Sequence, residues 1–160
     1  MSSSLNPAWD KGKARTQRLN FTLDSRLESA GFAESQVVEF AAKAGCSERD
    51  CEEIGLAVRE SVANAVLHGN RCDRNKKVLL TAELQESKLV ISIQDEGEGF
   101  DPECLADPLV PENLLNESGR GIFLVKTCMD EVIVRRADSR GTELTMIKYL
   151  SKTPLRRNTK

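Results

Sequence analysis

At 160 residues, with 39% hydrophobic and 30% charged residues, the chain has the size and make-up of one globular domain able to bury its own core. A net charge of −2 without a basic stripe argues against a dedicated nucleic-acid binder, and no apolar run approaches the roughly 20 residues of a membrane span. Five cysteines, none in a Cys-x-x-Cys pair, and a single histidine read as reduced thiols rather than a zinc site. The N-terminus lacks the apolar core of a signal peptide, so the expected location is the cytoplasm.

In chain order, residues 1–16 are mostly polar and read as a flexible segment, with Trp9 as its one aromatic residue. Alternation in Arg18-Leu19-Asn20-Phe21-Thr22-Leu23 predicts a half-buried strand. A helix over about 25–44 follows, with Leu27, Phe32, Val37, Val38, Phe40 and Ala41 facing the core and Gly45 as its C-terminal stop. Ser47-Glu48-Arg49-Asp50 resembles a capping box with Asp in place of Glu or Gln, and opens a second helix over about 48–68. That helix buries Cys51, Ile54, Val58, Val62, Ala65 and Val66; Gly69 ends it, and residues 70–77 form a polar turn.

Strands at 78–84 and 89–94, joined through Gln85-Glu86-Ser87-Lys88, make a hairpin. Residues 95–118 show little periodicity and contain Pro102, Pro108 and Pro111, a loop long enough to suggest function. A helix over about 120–129 and strands at 131–137 and 142–150 complete the domain, which spans residues 17–151; residues 152–160 read as a basic tail. The pattern is α+β: a two-layer α/β sandwich with helices on one face of a mostly antiparallel, mixed sheet.

Glu60 and Asn64 stand four apart and stack on one face of a helix whose flanks, Val58, Val62, Ala63 and Ala65, are core-forming. Taken alone they read as a solvated stripe. An ionised Glu on a mostly buried helix, however, needs a cleft, a cation or a ligand. An Asn oxygen is a hard neutral donor suited to Mg²⁺, and a nearby Glu can take a proton from a hydroxyl or water. His68, just before Gly69, fits a role at the helix C-terminus.

Asp95 closes an apolar strand and leads into Asp95-x-Gly97-x-Gly99. This is either a surface turn or a site where the carboxylate accepts from an exocyclic amine such as that of adenine, the glycines allowing close approach. The spacing of a calcium loop is absent. Gly119-Arg120-Gly121 reads as a flexible phosphate turn ahead of a helix N-terminus, but without the Gly-Lys-Ser/Thr of a P-loop. Gly141-Thr142 reads as a plain strand turn, with support of the Asp95 site by the Thr142 hydroxyl as the alternative.

In order, Glu60…Asn64, Asp95-x-Gly97-x-Gly99, Gly119-x-Gly121 and Gly141-Thr142 resemble the N, G1, G2 and GT boxes of the GHKL ATPases. Within them, the Glu60–Gly69, Asp95–Pro102 and Gly119–Val125 stretches look most like the stand-alone anti-sigma-factor serine-protein kinases of bacterial partner switching, over about residues 18–150. The resemblance implies the GHKL fold, with Mg-ATP between the helical layer and the loop. It implies Asn64 as Mg²⁺ ligand, Glu60 as general base and Asp95 on the adenine amine. Gly97 and Gly99 would shape the pocket, Gly119, Arg120 and Gly121 would meet phosphates, and Thr142 would support the base site. It implies two partners, a sigma factor and a STAS-domain anti-anti-sigma substrate, and a homodimer, without direct contact to nucleic acid or membrane. A weak ATP-binding module acting by sequestration alone is the alternative. The short 99–119 stretch and the lack of a phosphoacceptor helix pair argue against long-lidded members and a complete histidine kinase.

Overall fold

The computed structural model describes residues 17–98 and 117–150. Trp9, Gly99, Cys104, the prolines of the long loop, the N-terminal segment and the basic tail lie outside the described residues. The elements are β1 (Gln17–Asp24), α1 (Glu28–Lys43), α2 (Glu48–Asn64), a π-helical turn (Ala65–Gly69), β2 (Lys77–Gln85), β3 (Lys88–Gln94), α3 (Glu117–Cys128), β4 (Glu131–Arg136) and β5 (Thr142–Tyr149).

The strands form one sheet in the order β1-β2-β3-β5-β4. Every pairing among the described residues is antiparallel, so no parallel pair makes the sheet mixed. Period-two alternation sets the register. Leu23 opposes Val78, Leu80 opposes Ile93 and Ile91 opposes Met146, all buried on the helix-covered face. The opposite face carries polar pairs such as Ser92 and Thr145, whose hydroxyls lie 3.2 Å apart.

Helix α2 is the central element of the second layer. Its buried Ile54, Val58 and Val62 join Val37, Phe40 and Ala41 of α1 and Val125 of α3 in one core. Burying each of these Ile, Val and Phe side chains contributes about 1.5–3 kcal/mol. That outweighs the roughly 1 kcal/mol by which Gly55 weakens helix α2. Gly55 is needed because α1 passes so close that a Cβ there would lie 2.9 Å from Val38 Cγ2.

The helix ends follow their sequence signals. Gly45 has φ +92°, and the N–H groups of Gly45 and Cys46 donate to Ala42 and Ala41, a double closure that satisfies the last carbonyls of α1. Ser47 Oγ accepts the Asp50 N–H at 3.1 Å, the forward half of the expected box. Two residues expected in the core sit at its rim instead: Leu27 is 53% exposed and Phe32 40% exposed. Phe32 still packs edge-on against Phe21 with ring centres 5.3 Å apart, covering the end strand rather than the centre of the sheet.

Two charged residues are buried among the described residues, Asp95 and Lys148. Lys148 projects from the core face of β5, where its Nζ bonds the Glu53 carboxylate and the Cys128 carbonyl (2.7 Å), with Asp50 3.9 Å away. It joins the sheet to α2 and satisfies an otherwise open carbonyl at the C-terminus of α3.

Candidate functional site

The exits of α2 and β3, the start of β5 and the first turns of α3 converge at one end of the sandwich. Helix α2 keeps α-helical form only to Asn64, short of the expected residue 68. The chain then widens into the π-helical turn, with the Asn70 N–H donating to Ala65 at 2.8 Å and the Cys72 N–H to Val66 at 2.8 Å. Such turns are rare and are frequently found at functional sites. Here the wide turn carries Gly69 and Asn70 toward the exit of β3, as the contacts below show. His68 belongs to this turn and is exposed.

Glu60 and Asn64 are half-buried, between the buried Ser61, Val62, Ala65 and Val66. The expected phosphate turn differs from its sequence reading. Helix α3 starts at Glu117, so Gly119, Arg120 and Gly121 belong to the helix itself, not to a loop ahead of it. Backbone N–H groups of the first helical turn, that of Gly119 among them, have no partner within the helix and face its N-terminal end. Gly121 is buried against α2: a Cβ there would lie 2.9 Å from Asn64 Nδ2 and 3.3 Å from Glu60 Oε2. The backbone of α3 is thus brought directly to the acid-amide pair. The expectation for the Arg120 side chain, like that for Gly99, falls outside what is described.

Asp95 is 5% exposed. Its N–H donates to the Thr142 carbonyl at 3.0 Å, extending the β3–β5 ladder by one residue. Its Oδ1 accepts the N–H groups of Gly97 (2.9 Å) and Thr142 (3.1 Å). Thr142 therefore serves Asp95 through its backbone, where the sequence pointed to its hydroxyl. Among the described residues none donates to Oδ2, which leaves one carboxylate oxygen for a ligand. Burial pushes the Asp95 carboxyl above the usual carboxylate range, opposed by the Gly97 and Thr142 N–H bonds and by the charge of Lys76.

Glycines wall this carboxylate on three sides. A Cβ on Gly69 would collide with the Asp95 carboxylate, one on Gly97 with the Gly69 carbonyl, and one on Gly141 with the Asp95 carbonyl. Gly141 also has φ +88°, which side-chain-bearing residues rarely adopt. Gly69 and Gly141 read from sequence only as a helix stop and a strand turn; here they are walls of the Asp95 site. Sequence reasoning also missed Asn70 and Glu96. Asn70 is fully buried, though it was placed in a polar turn, and its only sequence signal is position after the His68-Gly69 helix end.

No group of three or more His, Cys, Asp or Glu residues that could hold a metal occurs among the described residues. Asn64 offers a single neutral oxygen beside Glu60. That donor set suits a metal whose remaining ligands are phosphates and water rather than a closed protein cage.

A family profile for the histidine kinase-like ATPase domain matches residues 23–148. An anti-sigma F factor of Clostridium perfringens is 34% identical over 138 residues, covering 84% of this chain and 96% of that protein. The serine-protein kinase RsbW of Staphylococcus epidermidis is 37% identical over 123 residues, covering 72% of this chain and 76% of its own length. The chain belongs to the anti-sigma-factor serine-protein kinase family of histidine kinase-like ATPases.

Among solved structures, the RsbU and RsbW domains of a Mycobacterium tuberculosis protein superpose with a TM-score of 0.62 at 23% identity. The match covers 84% of this chain and 33% of that one, and is a likeness of fold. The family is one of ATP-binding domains, which makes ATP the nucleotide of this fold. Among the described residues no helix is long and apolar enough to cross a membrane.

Proposed function

We propose that this chain is an ATP-dependent serine/threonine-protein kinase and anti-sigma factor that sequesters a sigma factor and phosphorylates a STAS-domain anti-anti-sigma protein. The observation that carries the reading is the Glu60–Asn64 pair with the α3 backbone at Gly121 against it. The names of the relatives support the kinase and anti-sigma halves.

In this reading Asn64 holds Mg²⁺ through its Oδ1, and the α3 N-terminus, with Gly119, Arg120 and Gly121, receives the phosphates. Bound Mg²⁺ neutralises charge on the phosphates. Glu60, one turn before Asn64, accepts the proton of the attacking hydroxyl, so its side chain must keep an ionised oxygen toward the cleft. Asp95 Oδ2 accepts the adenine amine while Oδ1 stays with Gly97 and Thr142. Gly97 and Gly99 line the base pocket. Positioning and charge neutralisation supply most of the rate in phosphoryl transfer, and these groups provide both. The active unit is a homodimer of the 17–151 domain working in the cytoplasm.

Incubation with γ-labelled ATP and a STAS-domain partner tests the proposal. Acid-stable phosphoserine or phosphothreonine on the partner is the expected product. Acid-labile phosphohistidine would replace it with histidine kinase chemistry, and nucleotide binding without transfer would leave sequestration alone.

A further inference from the structure

Asn70 follows the π-helical turn and is completely buried, with both ends of its carboxamide engaged. Its Oδ1 accepts the Glu96 N–H at 2.8 Å. Its Nδ2 donates to the Lys77 carbonyl at 3.0 Å and to Ser25 Oγ at 3.2 Å. The Glu96 carboxylate in turn accepts the Lys77 N–H at 2.6 Å. One side chain thereby ties the exit of β1, the start of β2 and the exit of β3 together, immediately beside Asp95.

We propose that Asn70 is a positioning residue for nucleobase selection, holding the Glu96 N–H so that the turn after Asp95 keeps the carboxylate aimed at a 6-aminopurine. The inference rests on the reading of Asp95 as the adenine acceptor. Asp95 Oδ1 is held by two backbone donors, and one of them, the Gly97 N–H, belongs to the peptide that follows Glu96. Releasing the Glu96 N–H lets that turn rotate and draws the Gly97 donor away from Oδ1. The Thr142 N–H alone does not fix the plane of the carboxylate, because a single bond leaves rotation about it.

The opposite wall depends on the same residue. Gly97 rests on the Gly69 carbonyl, and Gly69 directly precedes Asn70 in the chain. Asn70 therefore anchors both sides of the slot in which Asp95 sits. An amide serves here because the site demands one acceptor and two donors on one planar group, which a carboxylate does not supply.

Calorimetric affinities for ATP and for ITP, which carries a 6-carbonyl in place of the 6-amine, test this in the full chain. Thermal melting without nucleotide is recorded alongside. Asn70→Ala should reduce the preference for ATP over ITP by roughly tenfold, mainly by weakening ATP, as expected when a hydrogen bond to a charged acceptor is lost. Asn70→Ser is carried in parallel in case the alanine variant does not fold, and should show the same change. Asn70→Asp keeps an acceptor for the Glu96 N–H; it should retain the ATP preference while melting lower, because an oxygen then faces the Lys77 carbonyl. Equal weakening of ATP and ITP in Asn70→Ala or Asn70→Ser would mark a merely structural residue and overturn the proposal. So would an unchanged preference, or a loss in Asn70→Asp as large as in Asn70→Ala. Asp95→Asn is the reference: if it leaves the preference unchanged, the Asp95 reading fails and this inference with it. A preference lost in Asp95→Asn but kept in Asn70→Ala overturns the Asn70 role alone.

Discussion

Gly121 of α3 and Asn64 of α2 meet so closely that a methyl group would not fit between the helix backbone and the carboxamide, with Glu60 at the same point. The neighbouring atom, Asn64 Nδ2, is the end of a side chain that can turn away, so Gly121→Ala should be tolerated by the fold. Ala also gains roughly 0.8–1 kcal/mol of helix propensity over Gly. The expected outcome is stability within about 1 kcal/mol of the parent, from urea denaturation, with phosphotransfer down at least roughly tenfold because Asn64 is displaced. A variant that kept full activity would place the α3 backbone outside the site.

Asp95→Asn separates stability from binding. The Asp95 carboxyl titrates above its ordinary range in the folded chain because burial disfavours its charge. For such a group the stabilising contribution is complete below the unfolded-state value and is lost as pH rises through the folded-state value. At neutral pH the ionised Asp95 therefore opposes folding of the nucleotide-free chain. Asp95→Asn should melt higher than the parent at pH 7, with the difference closing as pH falls below the ordinary carboxylate range. ATP affinity should drop roughly tenfold or more, since a neutral amide is a poorer acceptor than a carboxylate. Melting curves across pH and calorimetry at pH 7 check both halves.

Gly141→Ala should damage fold and pocket together. The left-handed backbone at φ +88° disfavours any side chain, and the added Cβ meets the Asp95 carbonyl and lies 2.6 Å from Asp95 Oδ1. A loss of about 1–3 kcal/mol from the backbone alone is expected. Weaker ATP binding should accompany it, read by melting with and without nucleotide.

Lys148→Met should lower stability without touching the cleft residues directly. Removing one partner of a fully buried ion pair costs about 3–5 kcal/mol. Here the Glu53 side chain keeps 27% exposure and can be solvated, so about 1–3 kcal/mol is expected. The Lys148 and Arg49 hydrogen bonds hold the Glu53 carboxyl below its ordinary range. That stabilisation is present above the unfolded-state value and is lost as pH falls through the folded-state value. The deficit of Lys148→Met should therefore narrow in acid, which urea denaturation at pH 7 and pH 3 measures.

The strands and helices were legible because periodicity and turn chemistry agree along most of the chain. Alternation placed β1, the short polar link Gln85-Glu86-Ser87-Lys88 marked the β2–β3 hairpin, and Gly45 and Ser47 marked the α1–α2 junction. The same periodicity misled at Leu27 and Phe32, where an apolar helix position faces the rim of the sheet rather than its centre. Local pattern says which face is apolar, not how far that face extends over its partner. The π-helical turn was invisible because Ala65-Val66-Leu67-His68 has ordinary helical composition; its widening is seen only in where the Asn70 and Cys72 N–H groups go. The order of Glu60, Asn64, Asp95 and Gly121 was readable, but the distance between α2 and α3 was not. Asn70 was missed because polarity in a connecting segment ordinarily means solvent, whereas three tertiary hydrogen bonds bury it here.

In the proposed mechanism Glu60 acts on a protein hydroxyl rather than on nucleotide binding, and this role decides between a kinase and a binding module. It is tested most directly by measuring ATP affinity and phosphotransfer to a STAS-domain partner side by side in Glu60→Gln. The expected result is an ATP dissociation constant within about threefold of the parent and transfer reduced by roughly 10²–10⁴, the range for loss of a general base. Transfer at the parent rate, or a fall matched by an equal loss of ATP binding, would contradict it.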